Sequence, residues 1–292
     1  MKLQAFKKYS IALRDGRQLA IDHPLVMGIL NVTPDSFYAG SRCDDPAKIE
    51  NRVKQLVAEG ADIIDIGAYS TRPGAAVVTP QEEMARLDRG MEAVHRLAPG
   101  VVTSVDTFRA DVARHSVEQL GVDIVNDVAG GTLDEHMYAT VAQLHVPYIV
   151  MHMRGTPATM QQLTHYDEPV TTAVARYLAD KIDQLHSMGV ESVIADPGFG
   201  FSKTVEQNYE MMAHLDEFIA LGEPLLVGIS RKSMIFKLLG CTPAESLGGT
   251  TVLNTMALMQ GAHILRVHDV KAAVEARAIV EATFKSQPSA DN

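Results

Sequence analysis

The stretch Asp196-Pro197-Gly198-Phe199-Gly200-Phe201 follows the apolar run Val193-Ile194-Ala195, so a carboxylate, a glycine-flanked turn and an aromatic ring close an extended segment. A strand that ends this way presents a site. The same pattern, an apolar run closing on a polar residue or glycine, recurs at Asn31, Gly67, Asp106, Asn126, Met151, Gly228 and Arg266. Asp106, Asn126 and Asp196 offer carboxylate and amide groups that suit the edge of a flat heterocycle carrying an amino group, ring N–H donors and a carbonyl. Each of them alone would serve equally well as a helix cap or turn residue.

Arg72, Lys232, Arg266 and His268 add the cationic and hydrogen-bonding groups that a phosphate or pyrophosphate needs. One such residue is ordinary surface charge; four at strand ends shift the balance. Ser230-Arg231-Lys232-Ser233 precedes an apolar helical pattern over 234–239, where a helix N-terminus could offer backbone N–H groups to an anion, or either serine could simply cap the helix. The stretches 31–37 and 71–74 carry rigid prolines and donor-bearing side chains, as loops closing over a shared face would. His152 has no HxH, HExxH or carboxylate companion and is expected as a wall residue rather than a metal ligand. The 14 methionines are expected as adaptable packing.

These residues need a scaffold that brings distant strand ends together. Short β-branched runs at 25–30, 62–66, 101–105, 123–125, 148–151, 192–195, 225–227 and 264–267 alternate with helical patterns at 46–59, 80–97, 111–119, 170–188 and 272–284. About eight such units predict an α/β fold, a (β/α)8 TIM barrel, whose active site lies at the C-terminal ends of the strands. Gly60, Gly121, Gly189 and Gly261 stand where left-handed helix C-caps belong. A doubly wound open sheet is the rival, but Asn31-Val32-Thr33-Pro34 is not the glycine-rich phosphate turn such folds use. Asp15-Gly16 between two alternating runs predicts a β-hairpin cap over 9–21.

No linker-like composition interrupts residues 20–280, so one domain spans 1–292, with 286–292 expected as a disordered tail. A net charge of −10 excludes a general nucleic-acid binder and makes any anion site local. Cys43 and Cys241 are the only cysteines; no disulfide scaffold or zinc site follows from two so far apart, and a reducing cytoplasm is expected. The first twenty residues lack the apolar run of a signal peptide or anchor.

The motifs Asn31-Val32-Thr33-Pro34-Asp35-Ser36-Phe37, Ser70-Thr71-Arg72-Pro73-Gly74, Asp196 to Phe201, Ser230 to Ser233 and Arg266-Val267-His268-Asp269, in this order with Asp106 and Asn126 between them, resemble the bacterial dihydropteroate synthases of the pterin-binding enzyme family. The resemblance covers nearly the whole chain. It implies a transferase that joins 6-hydroxymethyl-7,8-dihydropterin diphosphate to 4-aminobenzoate, with Lys232, Asp196 and Arg266 at the centre of catalysis. Asp106, Asn126, Asp196, Lys232 and Arg266 would hold the pterin. Asn31, Thr71, Arg266 and His268 would hold the pyrophosphate, with Mg2+ at Asn31 near Asp35. Phe37, Arg72, Pro73, Phe201 and Ser233 would enclose aminobenzoate. A homodimer through the late helices is also implied.

Three departures from the family pattern stand out: Gly67-Ala68-Tyr69-Ser70 in place of Gly-Gly-Glu-Ser, Tyr38-Ala39-Gly40 in place of Ser-Asp-Gly, and Ile229 where threonine is common. Two further readings compete. A pterin-binding methyltransferase would explain Asp106, Asn126 and Asp196 but not the cations, and a catalytically silent paralogue would bind pterin without turnover.

Overall fold

The computed structural model describes residues 6–33, 45–70 and 78–285. Phe37, Thr71, Arg72, Pro73 and the tail expected at 286–292 lie outside them. Strands β1 (Tyr9–Ala12) and β2 (Gln18–Ile21) pair antiparallel as the expected hairpin. The Leu13 N–H donates to the Arg17 carbonyl at 2.9 Å, which leaves a three-residue loop ending on Gly16 at φ +85°. That left-handed position favours glycine.

Eight parallel strands follow: β3 (Leu25–Asn31), β4 (Ile63–Gly67), β5 (Val102–Asp106), β6 (Ile124–Asp127), β7 (Tyr148–Met151), β8 (Val193–Asp196), β9 (Leu226–Val227) and β10 (Ile264–Val267). Their hydrogen-bonded order is β8-β7-β6-β5-β4-β3-β10-β9, and an Ala195–Leu225 bridge brings β8 against the start of β9. The chain is a (β/α)8 barrel, as its alternating pattern predicts. The five expected helices appear as α1 (Pro46–Ala58), α2 (Pro80–Leu97), α3 (Ala110–Glu118), α5 (Val170–Ser187) and α10 (Val270–Lys285).

The pattern at 234–239 appears as α8 (Ser233–Leu239), and four more helices were not foreseen: α4 (Met137–Leu144), α6 (Val205–Ala213), α7 (Leu215–Ile219) and α9 (Leu247–Met259). Most are short, and α9 carries no charged residue to mark a solvent face, so periodicity is a weak signal there. The glycines expected as helix ends do their work in left-handed geometry, with φ of +89° at Gly60, +66° at Gly121, +90° at Gly189 and +92° at Gly261.

Each barrel strand is buried on both faces, which is why its sequence runs apolar without alternating. Outward residues such as Val26, Ile64, Val125 and Val193 pack with the helices. Inward residues Met27, Ile63, Ile124, Ile149, Ile194 and Ile264 join Ile11, Leu13, Leu19 and Ile21 of the hairpin, which closes the N-terminal end of the barrel. The strand period of two then sets the next inward layer. Two residues beyond Ile63, Ile124, Ile194 and Ile264 stand Asp65, Asn126, Asp196 and Arg266. An apolar plug thus lies beneath a polar mouth.

Candidate active site

At the C-terminal end of the strands a cavity of about 530 Å3 opens, lined among others by Asn31, Tyr69, Asp106, Phe201, Lys232, Ser233, Arg266 and His268. Its floor is a knot of charge. The Arg266 guanidinium donates from Nε to Asp65 at 2.6 Å and from a terminal nitrogen to Asp106 at 2.6 Å. Asn126 Nδ2 lies 3.3 Å from both oxygens of Asp65, whose side chain is wholly buried.

Electrostatics follow from this packing. Burial pushes the Asp106 carboxyl up from the ordinary carboxylate range, against the pull of Arg266. Burial works against the Arg266 charge, yet Asp65 and Asp106 hold its proton more tightly than usual. Burial likewise raises Asp196, opposed by Lys232. Lys232 is lowered to about 8 by burial, opposed by Asp196. Such displaced acid–base groups in one cleft are a mark of a functional site.

The Asp196 turn has its own geometry. Asp196 Oδ1 accepts the Gly198 N–H at 2.8 Å. Gly198 sits at φ +69°, and a Cβ there would lie 2.1 Å from the His152 carbonyl oxygen, so no other residue fits. Lys232 Nζ donates to the Phe199 carbonyl at 2.6 Å and lies 4.6 Å from the centre of the Phe201 ring. The turn thus connects carboxylate, lysine and ring.

Lys232 occupies the N-cap position of α8, and neither serine caps it through its side chain. The backbone before it is held by Arg231, at φ +54°, whose guanidinium donates to both oxygens of Asp269 at 2.8 and 2.9 Å. Ser230 Oγ accepts the His268 N–H at 3.1 Å and lies 3.0 Å from His268 Nδ1. This serine–histidine contact was not visible in the sequence, and it is no activated nucleophile. Burial and the charges of Arg266, Arg52, Arg231 and Lys232 push His268 down to about 3, which makes it a poor proton acceptor.

Of the residues expected at the site, Asn31, Asp106, Phe201, Lys232, Ser233, Arg266 and His268 meet at the cavity. Asn126 and Asp196 are buried at strand ends and do not line it. His152, expected as a wall residue, is buried but does not line the cavity, and its Nδ1 lies 3.0 Å from Lys203 Nζ. Sequence reasoning missed Asp65, the partner of Arg266. Its signal was a lone carboxylate inside the strand Ile63-Ile64-Asp65-Ile66, where a buried charge needs a partner. It also missed Lys203 and the Met160-Gln161 wall of the cavity.

A parallel barrel whose strand ends gather carboxylates, an amide and cations around one cleft is an enzyme scaffold for a polar ring and an anion. The family model described as "Pterin binding enzyme" matches residues 27–268. Dihydropteroate synthase of Escherichia coli K12 is 43% identical over 274 residues, 93% of this chain and 96% of that protein. A Yersinia pestis dihydropteroate synthase, solved with a sulfonamide drug complex, superposes with a TM-score of 0.89 at 38% identity, covering 96% of this chain and all of the other. The Thermus thermophilus enzyme, in complex with 4-aminobenzoate, gives 0.83 at 42% identity over 94% of this chain and 99% of that one. The chain belongs to the pterin-binding enzymes and, within them, to the dihydropteroate synthases. The methyltransferase reading falls away.

Asp65→Ala should expose how much rests on the knot, because it leaves the Arg266 charge and the Asn126 amide short of a partner in a buried setting. Breaking a buried pair costs about 3 kcal/mol. Urea unfolding of parent and variant measures it, and an unchanged midpoint would show that Arg266 does not depend on Asp65.

Proposed function

We propose that this chain condenses 6-hydroxymethyl-7,8-dihydropterin diphosphate with 4-aminobenzoate to give 7,8-dihydropteroate and pyrophosphate, and that the cavity at the barrel mouth is where it does so. The observation that carries the reading is the convergence of Asp106, Lys232, Arg266, His268 and Asn31 on one cavity in a chain of this family. Asp106 on the cavity wall, with Asn126 and Asp196 at the buried ends of β6 and β8, would accept the pterin's amino and ring N–H donors, while Lys232 donates to its carbonyl and ring-nitrogen side. Arg266, held flat by Asp65 and Asp106, lies against the ring.

Asn31, Arg266 and His268, with Thr71, bind the diphosphate. Phe201 and Ser233, with Phe37, Arg72 and Pro73, enclose the aminobenzoate. Support comes from the cavity wall, where Phe201, Met160 and Tyr69 offer apolar surface beside Ser233, and from the Thermus relative, which was solved with 4-aminobenzoate.

Magnesium keeps several waters and takes a few oxygen donors together with substrate phosphates, rather than a dedicated protein cage. Asn31 offers a hard amide oxygen on the cavity wall, and among the described residues no cluster of three or more His, Cys, Asp or Glu side chains forms a cage. This donor set fits an ion shared between Asn31 and the diphosphate. Such an ion would neutralise charge on the leaving group.

The chemistry is dissociative. The C–O bond to the diphosphate breaks and its electron pair leaves with pyrophosphate, so the methylene cation delocalises into the electron-rich dihydropterin. The aminobenzoate nitrogen then forms the new C–N bond and releases a proton. Charge stabilisation, not a strong base, is what this needs. The neutral His268 and its Ser230 contact agree with that, since neither group is poised to abstract a proton.

The chain works as a single domain in the cytoplasm, and a homodimer forms through the late helices. Leu238 and Leu239 of α8, Val252 of α9 and Ile279 of α10 are exposed apolar side chains on that side of the sequence. With the uncharged helix α9 they make a surface suited to a second copy. Among the described residues no helix is long and apolar enough to cross a membrane.

Purified protein with both substrates and Mg2+ should release pyrophosphate in an aminobenzoate-dependent way, and Asp196→Asn should lower kcat/KM by on the order of a hundredfold. Pterin binding without release would instead mark a silent paralogue. The pH profile of kcat/KM reports the free enzyme. Activity should fall on the alkaline side as Lys232 loses its proton near pH 8, and on the acid side as Asp106 gains one above the usual carboxylate range. A profile flat from pH 6 to 9 would remove both groups from pterin recognition. With a non-reacting aminobenzoate analogue, 18O in the bridging position of the substrate should scramble into the nonbridging positions; its staying in place would sink reversible cleavage before attack.

A further inference from the structure

Lys203 is 4% exposed, yet none of the roles above uses it. Its Nζ makes three hydrogen-bond contacts: 2.9 Å to the Gly198 carbonyl, 2.9 Å to the Phe201 carbonyl and 3.0 Å to His152 Nδ1. The two carbonyls are the ends of one turn, in which the Phe201 N–H also donates to the Gly198 carbonyl at 3.1 Å. A single side chain therefore ties both ends of the turn from beneath and fastens them to the residue that follows β7.

That turn carries three things the chemistry needs. The Gly198 N–H sets the Asp196 carboxylate, the Phe199 carbonyl receives Lys232, and Phe201 places its ring below the Lys232 ammonium. We infer that Lys203 is a positioning residue for the proposed reaction, holding the 198–201 turn so that Asp196, Lys232 and Phe201 keep the spacing both substrates require.

The bonding holds in either arrangement of protons. A charged Lys203 donates three N–H groups to two carbonyls and an unprotonated Nδ1. A neutral amine donates to both carbonyls and accepts from Nδ1–H. Burial lowers Lys203 and His152 alike, with the Asp196 carboxylate opposing that fall at Lys203. Both arrangements leave the two carbonyls occupied, and burying carbonyls without donors is costly. The spare length of the lysine goes into reaching them; no other described residue bonds both by side chain.

The inference rests on the synthase reading, and its test separates the two. Lys203→Met keeps the length and removes the donors, and Lys203→Gln keeps a shorter donor. Each is titrated with both substrates, beside His152→Gln, which spares both carbonyl bonds. Misplacement by a fraction of an ångström in an active site costs on the order of tenfold or more. KM for both substrates should therefore rise about tenfold in Lys203→Met, less in Lys203→Gln and little in His152→Gln, at a folded fraction confirmed by circular dichroism. If Lys203→Met yields no folded protein, Lys203→Gln alone decides. A merely structural role would lower the melting temperature and the active fraction while leaving KM at the parent value, and that result overturns the inference. Loss of turnover in the parent itself would instead remove the reading beneath it.

Discussion

Arg266 shared between Asp65 and Asp106 is the interaction on which the active end of this barrel depends. It joins β10 to β4 and β5, reaching past the intervening β3. Asn126 hangs on the same Asp65, which brings β6 into the set. Charges so deeply placed are stabilising only as a group, because each carboxylate left alone would bear its full desolvation cost. The gain is order. Side chains at the strand ends are held in place by one another, and dipoles fixed in this way need no rearrangement during a reaction.

The same bonds divide the labour of the site. Arg266 is matched by two carboxylates, Lys232 faces Asp196, and Arg231 is matched by Asp269. Arg52 donates to the Ile29 and His268 carbonyls from a buried position behind the mouth. Carboxylates and neutralised cations suit a pterin edge, which is rich in donors and carries no net charge. A diphosphate calls for more positive charge than these matched pairs leave over. On a chain of net charge −10 the leaving group needs positive charge from elsewhere. The ion proposed at Asn31 would supply such charge beside the leaving group.

The barrel was legible because fully buried parallel strands have few ways to write themselves: runs such as Val193-Ile194-Ala195, each closed by a polar residue, repeat at regular intervals. The polar strand ends Asn31, Asp106 and Arg266 were legible for the same reason, and all three line the cavity. What stayed hidden depends on contacts between distant segments. Asp65 lies two residues before the end of its strand and looks like an interruption until Arg266, 201 residues away, is placed beside it. Lys203 reads as a surface lysine from its neighbours in sequence, and only folding brings His152 under it. Helix α9 lacked the charged face that makes periodicity visible.

Tyr69 shows how a departure from the family pattern can be absorbed. Its ring packs edge-on against Phe108 with centroids 5.1 Å apart, and the Arg109 guanidinium lies 5.1 Å from its centre. Arg109 does not need a carboxylate from position 69, because it is already paired with the buried Glu83 and donates to the Val78 carbonyl at 2.8 Å. The position offers cation–π and aromatic packing in place of a charge, each modest in energy. Phe108 in turn packs with Met151, Met153 and Met160 in the apolar cluster that also receives Phe201. The exchange therefore extends an existing apolar wall around the cavity, and it leaves the Asp65–Arg266–Asp106 knot untouched.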